Sequence, residues 1–308
     1  MLGILISFFE LDTFIHDKKE YIMNKIMIVT DSCSDIRNDD IARYDVEVVP
    51  MNVTFGDENY QEGVNISVEE FYKKLTASRV FPKTSQPSPE LFENVFLRAK
   101  EEQREVLVLC ISSGLSGTIQ SANLAASLAE YEDHIHIVDT LQCLTGLRLL
   151  VKEACKLRDE GKSIDEIVSV LEDIKHRIRY FSICNTLEYF HKGGRLSLTK
   201  LIIGSLVGLK PFIDLDSKGR IRQFGQALGM NRSLKAAQEY IKKNERDEAY
   251  GVTYGFTATE DNMMRLFEKT KDLLNIEQID YAEIGAASGA HIGPGASCVC
   301  YVAKEPRK

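Results

Sequence analysis

The chain has 308 residues, of which 44% are hydrophobic and 27% charged, a balance typical of a folded globular protein with room for two domains. Its formal net charge of −8 argues against nucleic acid or an anionic membrane as the main partner. Seven cysteines without a C-x-x-C pair or a Cys/His cluster argue against a disulfide framework and a structural zinc site. We therefore expect a cytoplasmic protein with reduced thiols, no bound metal and no stable membrane insertion.

Residues 1–24 precede the first convincing strand. Their apolar stretch, MLGILISFFELDTF, lacks the positive region and small-residue cleavage site of a signal peptide and is too short to span a bilayer. We expect these residues to form an N-terminal extension outside the fold.

From residue 25 onward, apolar runs alternate with amphipathic segments. Candidate strands cover residues 25–31, 46–55, 105–111 and 134–140, and candidate helices begin near Ser67, Ser88, Thr118 and Gln142. Strands that alternate with helices predict an α/β domain with a parallel, helix-covered sheet. We place this N-terminal domain at residues 25–175.

A second α/β domain is predicted over residues 176–308. A helix over 163–178 leads into it, and an apolar helix over 201–209 precedes a hairpin whose turn is DSKG, residues 216–219. A further strand near residue 252, a helix from 260 to 274 and the C-terminal run complete the unit.

Glycine, hydroxyl and histidine residues concentrate in a few short segments: DSCSD (31–35), KTSQPS (83–88), SSGLSGT (112–118), KGGRLS (192–197) and HIGPGA (291–296). SSGLSGT stands where a buried strand hands over to a helix, and the free N–H groups of a helix start favour an anion. Ligands of parallel sheets lie beyond the carboxyl ends of the strands. DSCSD and SSGLSGT should therefore open into one crevice that holds an anion.

The chemistry at this crevice stays open from the residues alone. Ser116 in GLSG invites comparison with the nucleophile elbow of acyl hydrolases, but Thr118 replaces the last glycine of that motif. His291 and Asp139 are available as triad partners at no diagnostic spacing. The dinucleotide and Walker A fingerprints are absent. Asp31 and Asp35 could hold a cation after the first strand, but we interpret them as turn formers and a helix cap.

Taken together, KIMIVTDSCSDI, KTSQPSPELF, SSGLSGTIQSA, LEYFHKGGRLS and HIGPGA, in this order, resemble the DegV family over about residues 25–304. The resemblance implies two α/β domains with a long-chain, palmitate-like fatty acid buried in a tunnel between them. It also implies a carrier without catalytic residues or cofactor, which presents the fatty acid carboxylate to a fatty acid kinase. A serine acyl hydrolase or transferase that uses Ser116, and a lipid-sensing regulator, are the alternatives.

The resemblance also assigns site residues. Thr84 in TSQPS and Ser116 in LSGT match the family's carboxylate contacts, and Arg195 and His291 match parts of the headgroup environment. A local positive run is either a solvated face or a docking patch for the kinase; it comprises Lys192, Arg195, Lys200, Arg220 and Arg222.

Overall fold

The structure is a computed structural model that describes residues 25–196 and 208–307. The described strands are β1 (Ile26–Asp31), β2 (Val46–Val49), β3 (Asn52–Phe55), β4 (Glu58–Gln61), β5 (Lys83–Ser85), β6 (Glu105–Cys110), β7 (Ile135–Asp139), β8 (Ile178–Ile183), β9 (Leu209–Leu215), β10 (Ile221–Leu228), β11 (Val252–Phe256), β12 (Tyr281–Glu283) and β13 (Ser297–Val302). The described α-helices are α1 (Asn38–Tyr44), α2 (Val68–Ala77), α3 (Pro89–Glu101), α4 (Thr118–Ala129), α5 (Leu144–Asp159), α6 (Ile164–Arg177), α7 (Glu188–Lys192), α8 (Met230–Lys243), α9 (Asp261–Thr270) and α10 (Ala286–Ile292).

The first sheet is parallel, with strand order β2-β1-β6-β7. Every residue of β1 is buried, as expected for an apolar strand covered on both faces. Helices α3 and α4 cover one face, where Phe92, Phe96 and Ala122 pack against the strands. The predicted α/β class and the parallel, helix-covered sheet are confirmed.

The second sheet has six strands in the order β10-β9-β8-β13-β11-β12. Its pairs are antiparallel except for β11 with β12. The predicted hairpin is present as β9 and β10. Most of the segment predicted as an apolar helix, residues 201–209, lies outside the described residues, as does the predicted extension at 1–24; Leu209 already belongs to β9.

One predicted strand is wrong. Residues 46–55 form two strands in different sheets: β2 joins the parallel sheet, and β3 pairs with β4 and β5 in a small antiparallel sheet. Pro50 lies between them, where its missing N–H and fixed φ interrupt a hydrogen-bonded ladder. The next residue, Met51, donates its N–H to Ser32 Oγ at 3.0 Å instead.

Helix boundaries follow local signals closely. Ser67 and Ser163 each form a capping box with the glutamate three residues later, and α3 begins with Pro89 directly after Ser88. The helix predicted to start near Gln142 starts at Leu144.

Helix α5 lies between the two large sheets and contacts strands of both, including β1, β6, β11 and β13. Direct bonds also join the two halves of the chain: Tyr72 Oη donates to the carbonyl of Ile284 at 2.8 Å, and Gly285 N–H donates to Asp35 Oδ1 at 2.8 Å. A domain boundary near residue 175 stays a prediction. All seven cysteines are free and buried. Across residues 25–196 and 208–307, no helix is both long and apolar enough to cross a bilayer.

Candidate functional site

A narrow cavity with a volume of about 70 Å³ lies between the two halves of the chain, at the carboxyl ends of β1 and β6. Its wall is mainly apolar and draws on both halves, with Cys33, Met51 and Ile111 from the first and Tyr180, Phe190 and Ile213 from the second. The prediction that DSCSD and SSGLSGT open into one crevice is confirmed, because Cys33 and Ser116 both line it.

The four residues that the sequence singled out, Thr84, Ser116, Arg195 and His291, all line this cavity. They come from four separate segments of the chain. The fold therefore brings together two hydroxyls, one guanidinium and one imidazole at one polar end of a mainly apolar space.

Thr84 reaches the cavity because β5 pairs with β3, which places Thr84 opposite Val53. Its Oγ1 lies 2.8 Å from Nε2 of His291, in the last turn of α10. This hydrogen bond joins the first half of the chain to the second across the cavity.

Ser116 lies in the loop between β6 and α4. Its N–H donates to the carbonyl of Ser112 at 3.1 Å, and its Oγ lies 2.9 Å from Thr118 Oγ1. The residue that caps α4, Gly117, supplies no side-chain hydrogen bond, so the first N–H groups of the helix are not capped by it. Ser116 and this helix start can together donate hydrogen bonds to an anion.

Arg195 follows α7, and its guanidinium is half-buried. It donates to the carbonyls of Leu115 at 3.3 Å and Gly193 at 2.8 Å. Within the described part of the chain, no carboxylate lies at ion-pair distance from it. Burial lowers the pKa of Arg195 below its usual value, yet an arginine stays protonated in proteins. The cavity thus contains a partly desolvated positive charge that pairs with no carboxylate of residues 25–196 and 208–307.

His291 is held neutral. Burial, and secondarily the charge of Arg195, lower its pKa from 6.5 to about 4. Its Nδ1 is buried and has no hydrogen-bond partner among the described residues. Nδ1 faces Gly193, where a β-carbon would collide with the imidazole. A glycine is therefore needed at position 193 for the ring to reach Thr84.

Gln86 and Ser182 also line the cavity and were not singled out from the sequence. The Gln86 Nε2 donates to Ser121 Oγ at 2.9 Å, and its side chain lies against Gly117 at the start of α4. Gln86 belongs to the TSQPS segment, so the sequence marked the stretch but not this residue.

A group of buried carboxylates lies behind the cavity, and its member Glu62 was not singled out from the sequence. Asp31, Asp35 and Glu62 are buried, and desolvation raises the pKa of Asp31 to about 6 and that of Glu62 to about 7. Asp31 accepts from the N–H groups of Cys33 and Ile111, which agrees with its predicted role in the turn.

The other two carboxylates hold the start of α10. Asp35 accepts from the N–H of Gly285 at 2.8 Å, and Glu62 accepts from the N–H of Ala287 at 3.3 Å. They therefore position the short helix that carries His291. None of the described residues form a cluster suited to a metal ion.

The predicted basic patch is largely neutralised within the chain. Lys192 pairs with Glu188, Arg220 with Asp216 at 2.8 Å, and Arg222 with Asp214 at 2.6 Å; Lys200 lies outside the described residues. These pairs favour the solvated-face interpretation over a free positive docking surface.

Comparisons with known proteins agree with the resemblance. A family model described as the DegV family of uncharacterised proteins matches residues 25–304. A DegV domain-containing protein from Caldanaerobacter subterraneus subsp. tengcongensis is 32% identical over 285 residues, which cover 92% of this chain and 100% of the relative. The solved structure of a DegV family protein from Thermus thermophilus, described by its fatty acid binding, is similar with a TM-score of 0.79 and 33% identity, over 90% of this chain and 99% of the other. A stearic acid-binding protein from Eubacterium ventriosum gives a TM-score of 0.83 and 27% identity, over 91% and 98% of the two chains.

Proposed function

Because the chain belongs to the DegV family, we propose that it binds one long-chain fatty acid, of palmitate type, in the cavity between its two halves. The single observation that carries the proposal is the composition of this cavity. Its wall is mainly apolar, and its polar end gathers Thr84, Ser116, Arg195 and His291 from four segments. Two similar structures are of proteins described as fatty acid-binding.

The apolar wall would supply most of the affinity. Each buried methylene contributes about 0.8 kcal/mol, so a fully covered palmitate chain gains roughly 10 kcal/mol before the cost of ordering the chain and protein. The headgroup decides orientation, since a buried carboxylate without partners is very costly. Hydroxyls of Thr84 and Ser116 would donate to its oxygens, and the charge of Arg195, which forms no ion pair among the described residues, would balance it.

The protein is proposed to be a carrier that presents this carboxylate to a fatty acid kinase in the cytoplasm. The location of the polar end supports presentation, because Ser85, Gln86 and Ser113 around it are exposed while Thr84 and Ser116 are partly buried. A carboxylate held there would lie close to the surface. We propose no cofactor and no catalytic residue.

The hydrolase alternative receives little support from the geometry. The Ser116 hydroxyl is bonded to Thr118, and the imidazole in the cavity is bonded to Thr84. A serine nucleophile needs a base within hydrogen-bond reach. Incubation with a chromogenic acyl ester separates the two functions, because a carrier gives no turnover and a hydrolase gives turnover that Ser116→Ala abolishes.

Exchange of labelled palmitate from the delipidated, reloaded protein tests the headgroup assignment. Thr84→Ala with Ser116→Ala should release palmitate at least tenfold faster, since each lost hydrogen bond to a charged group is worth about 1.5–3 kcal/mol. Thr54→Ala is the matched control, because Thr54 lies on β3 and bonds Asn59 away from the cavity. Equal release from the double variant and the wild type would refute the assignment.

A further inference from the structure

Three exposed leucines gather on the outer face of α3 and α4. Leu124 and Leu128 of α4 are each 53% exposed, and Leu97 of α3 is 39% exposed. The helices run side by side, since the Lys100 Nζ near the end of α3 donates to the carbonyl of Ala129 at the end of α4 at 2.8 Å. Leu97 therefore lies at the level of the two leucines of α4.

The contacts of α3 fix the direction of Leu97. Lys100 marks the side toward α4, and Arg98, ion-paired with Glu47 of β2 at 2.6 Å, marks the opposite side. Leu97 precedes Lys100 by three residues and so lies on the side of the exposed face nearer to α4.

The contacts of α4 fix the direction of its leucines in the same way. Ser121 accepts a hydrogen bond from Gln86, directly before α3, and so marks the side toward α3. Leu124 and Leu128 follow Ser121 by three and seven residues and share that side. The three leucines therefore converge over the seam between the helices, and we call them the leucine seam.

Carboxylates border the leucine seam. Glu90 and Glu101 are exposed, and Glu93 is partly exposed. All three share a helical face with Leu97, because Glu90 and Glu93 precede it by seven and four residues and Glu101 follows it by four. Within the described part of the chain, none of the three has an ion-pair or side-chain hydrogen-bond partner. This rim contrasts with Lys192, Arg220 and Arg222 of the basic run described above, whose charges are neutralised by neighbouring carboxylates.

The leucine seam also adjoins the polar end of the cavity. Helix α4 begins at Thr118, which is bonded to Ser116, and Leu124 lies six residues on, about 9 Å along the helix axis. Helix α3 begins just after Gln86, which lines the cavity. A molecule seated on the leucine seam would therefore stand beside the headgroup.

We propose that the leucine seam is a docking surface for a partner protein whose apolar side chains are ringed by lysine or arginine. The inference rests on the proposed function, under which this partner is the fatty acid kinase subunit. Apolar side chains at the centre of a contact carry most of its binding energy, and the charged rim steers association. A second copy of this chain fits poorly, because it would bring two rims of three carboxylates each together.

Titration of the kinase subunit with the palmitate-loaded protein tests the apolar part. Leu124→Glu with Leu128→Glu should raise the Kd at least tenfold and raise the KM for the carrier in the phosphoryl-transfer assay, with palmitate retention unchanged. The matched control is Leu228→Glu with Leu273→Glu, two exposed leucines in the other half of the chain, which should leave both values within twofold.

A second pair of variants tests the rim. Glu93→Lys with Glu101→Lys should slow association and remove most of its salt dependence, whereas Glu239→Lys with Glu277→Lys, exposed on the other half, should not.

The outcomes separate the two proposals. If the leucine variant and the rim variant both bind the kinase as the wild type does, the docking surface is overturned and the carrier function stands. A wild-type protein that retains palmitate but supports no phosphoryl transfer overturns the kinase partnership and the docking surface with it. A third outcome is possible: the wild type binds neutral phosphatidylcholine vesicles, only the leucine variant loses this binding, and the kinase titration is unchanged. That outcome would assign the leucine seam to a membrane and overturn protein docking.

Discussion

Thr84 Oγ1 and His291 Nε2 lie 2.8 Å apart, although 207 positions separate the two residues in the chain. Each belongs to a different half of the molecule, so the bond exists only when β5 and α10 are both in place. Because burial keeps His291 neutral, the bond joins two uncharged groups at the polar end of the cavity. The headgroup region therefore depends on how the halves meet.

Gly193→Ala tests this dependence without altering either partner. A β-carbon at position 193 would collide with Nδ1 of His291, while the backbone of Gly193 (φ −76°) accepts an alanine. We expect the imidazole to move away from Thr84 and palmitate to dissociate several-fold faster. Gly251→Ala is the control, since nothing lies near its β-carbon. Stopped-flow exchange that is equally slow in both variants would contradict the role of this contact.

Arg195→Met should weaken the preference for a charged headgroup. The guanidinium has no carboxylate partner within the described residues, so its charge is available to a ligand anion, and methionine keeps much of the apolar stem. We expect the ratio of affinities for palmitate and its methyl ester to fall at least tenfold. Arg222→Met, which removes a guanidinium paired with Asp214 on β9, serves as control. An unchanged ratio in Arg195→Met would show that this arginine does not read the headgroup charge.

Glu62 should make the delipidated protein less stable at high pH. Burial raises its pKa from 4.5 to about 7, with Asp31 adding to the rise, so the folded state holds a proton that the unfolded state releases at lower pH. The resulting stability is present below about pH 4.5 and is lost as the pH rises through about 7. The free energy of unfolding of Glu62→Gln, relative to that of the wild type, should rise by about 1–3 kcal/mol as the pH is raised from 5 to 8.

Urea unfolding at pH 5 and pH 8 measures this difference. Asp31 and Asp35 face the same site and contribute pH dependence of their own in both proteins, so only the difference between variant and wild type is compared. Glu58→Gln, at an exposed position on β4 whose pKa is lowered by Tyr60 and Lys74, should show no gain at pH 8. If the unfolding free energies of the wild type and Glu62→Gln change with pH in parallel, Glu62 is not the source of the stability lost at high pH.

Gly114→Ala should displace the β9–β10 hairpin, which contributes Ile221 to the wall of the cavity. A β-carbon there would lie 2.6 Å from the carbonyl oxygen of Lys218 and 2.8 Å from Cγ of Arg220, so the tip of the β9–β10 hairpin must move. Overpacking of this kind costs about 1–3 kcal/mol. We expect a lower urea midpoint and faster palmitate exchange, because Ile221 of the same hairpin lines the cavity. Exchange as slow as in Gly251→Ala would show that the hairpin does not limit access.

Local pattern predicted the parts of the fold whose cause is local. The apolar run of β1 is buried on both faces, and the serines at 67 and 163 cap helices with glutamates three residues on. The break within residues 46–55 also has a local cause, because Pro50 lacks the N–H that a continuous strand needs. Strand β5 was missed because its KTS sequence is polar and its partner, β3, lies some thirty residues earlier.

In the candidate site, too, local signals predicted some features and contacts between distant segments determine the others. The helix start at Thr118 was visible as a strand-to-helix junction, but the places of Thr84 and Arg195 came only from the family resemblance. Glu62 stands in the polar stretch YQEGVN, and nothing local signals that tertiary packing buries it against α10. Contacts between distant segments are what single-sequence patterns leave out.

Mass spectrometry of lipid extracted from protein purified without detergent tests the central claim most directly. We predict close to one saturated or monounsaturated long-chain fatty acid per chain, retained by the wild type and depleted in Thr84→Ala with Ser116→Ala. Protein that carries no aliphatic acid, and that takes up none when incubated with palmitate, would contradict the account.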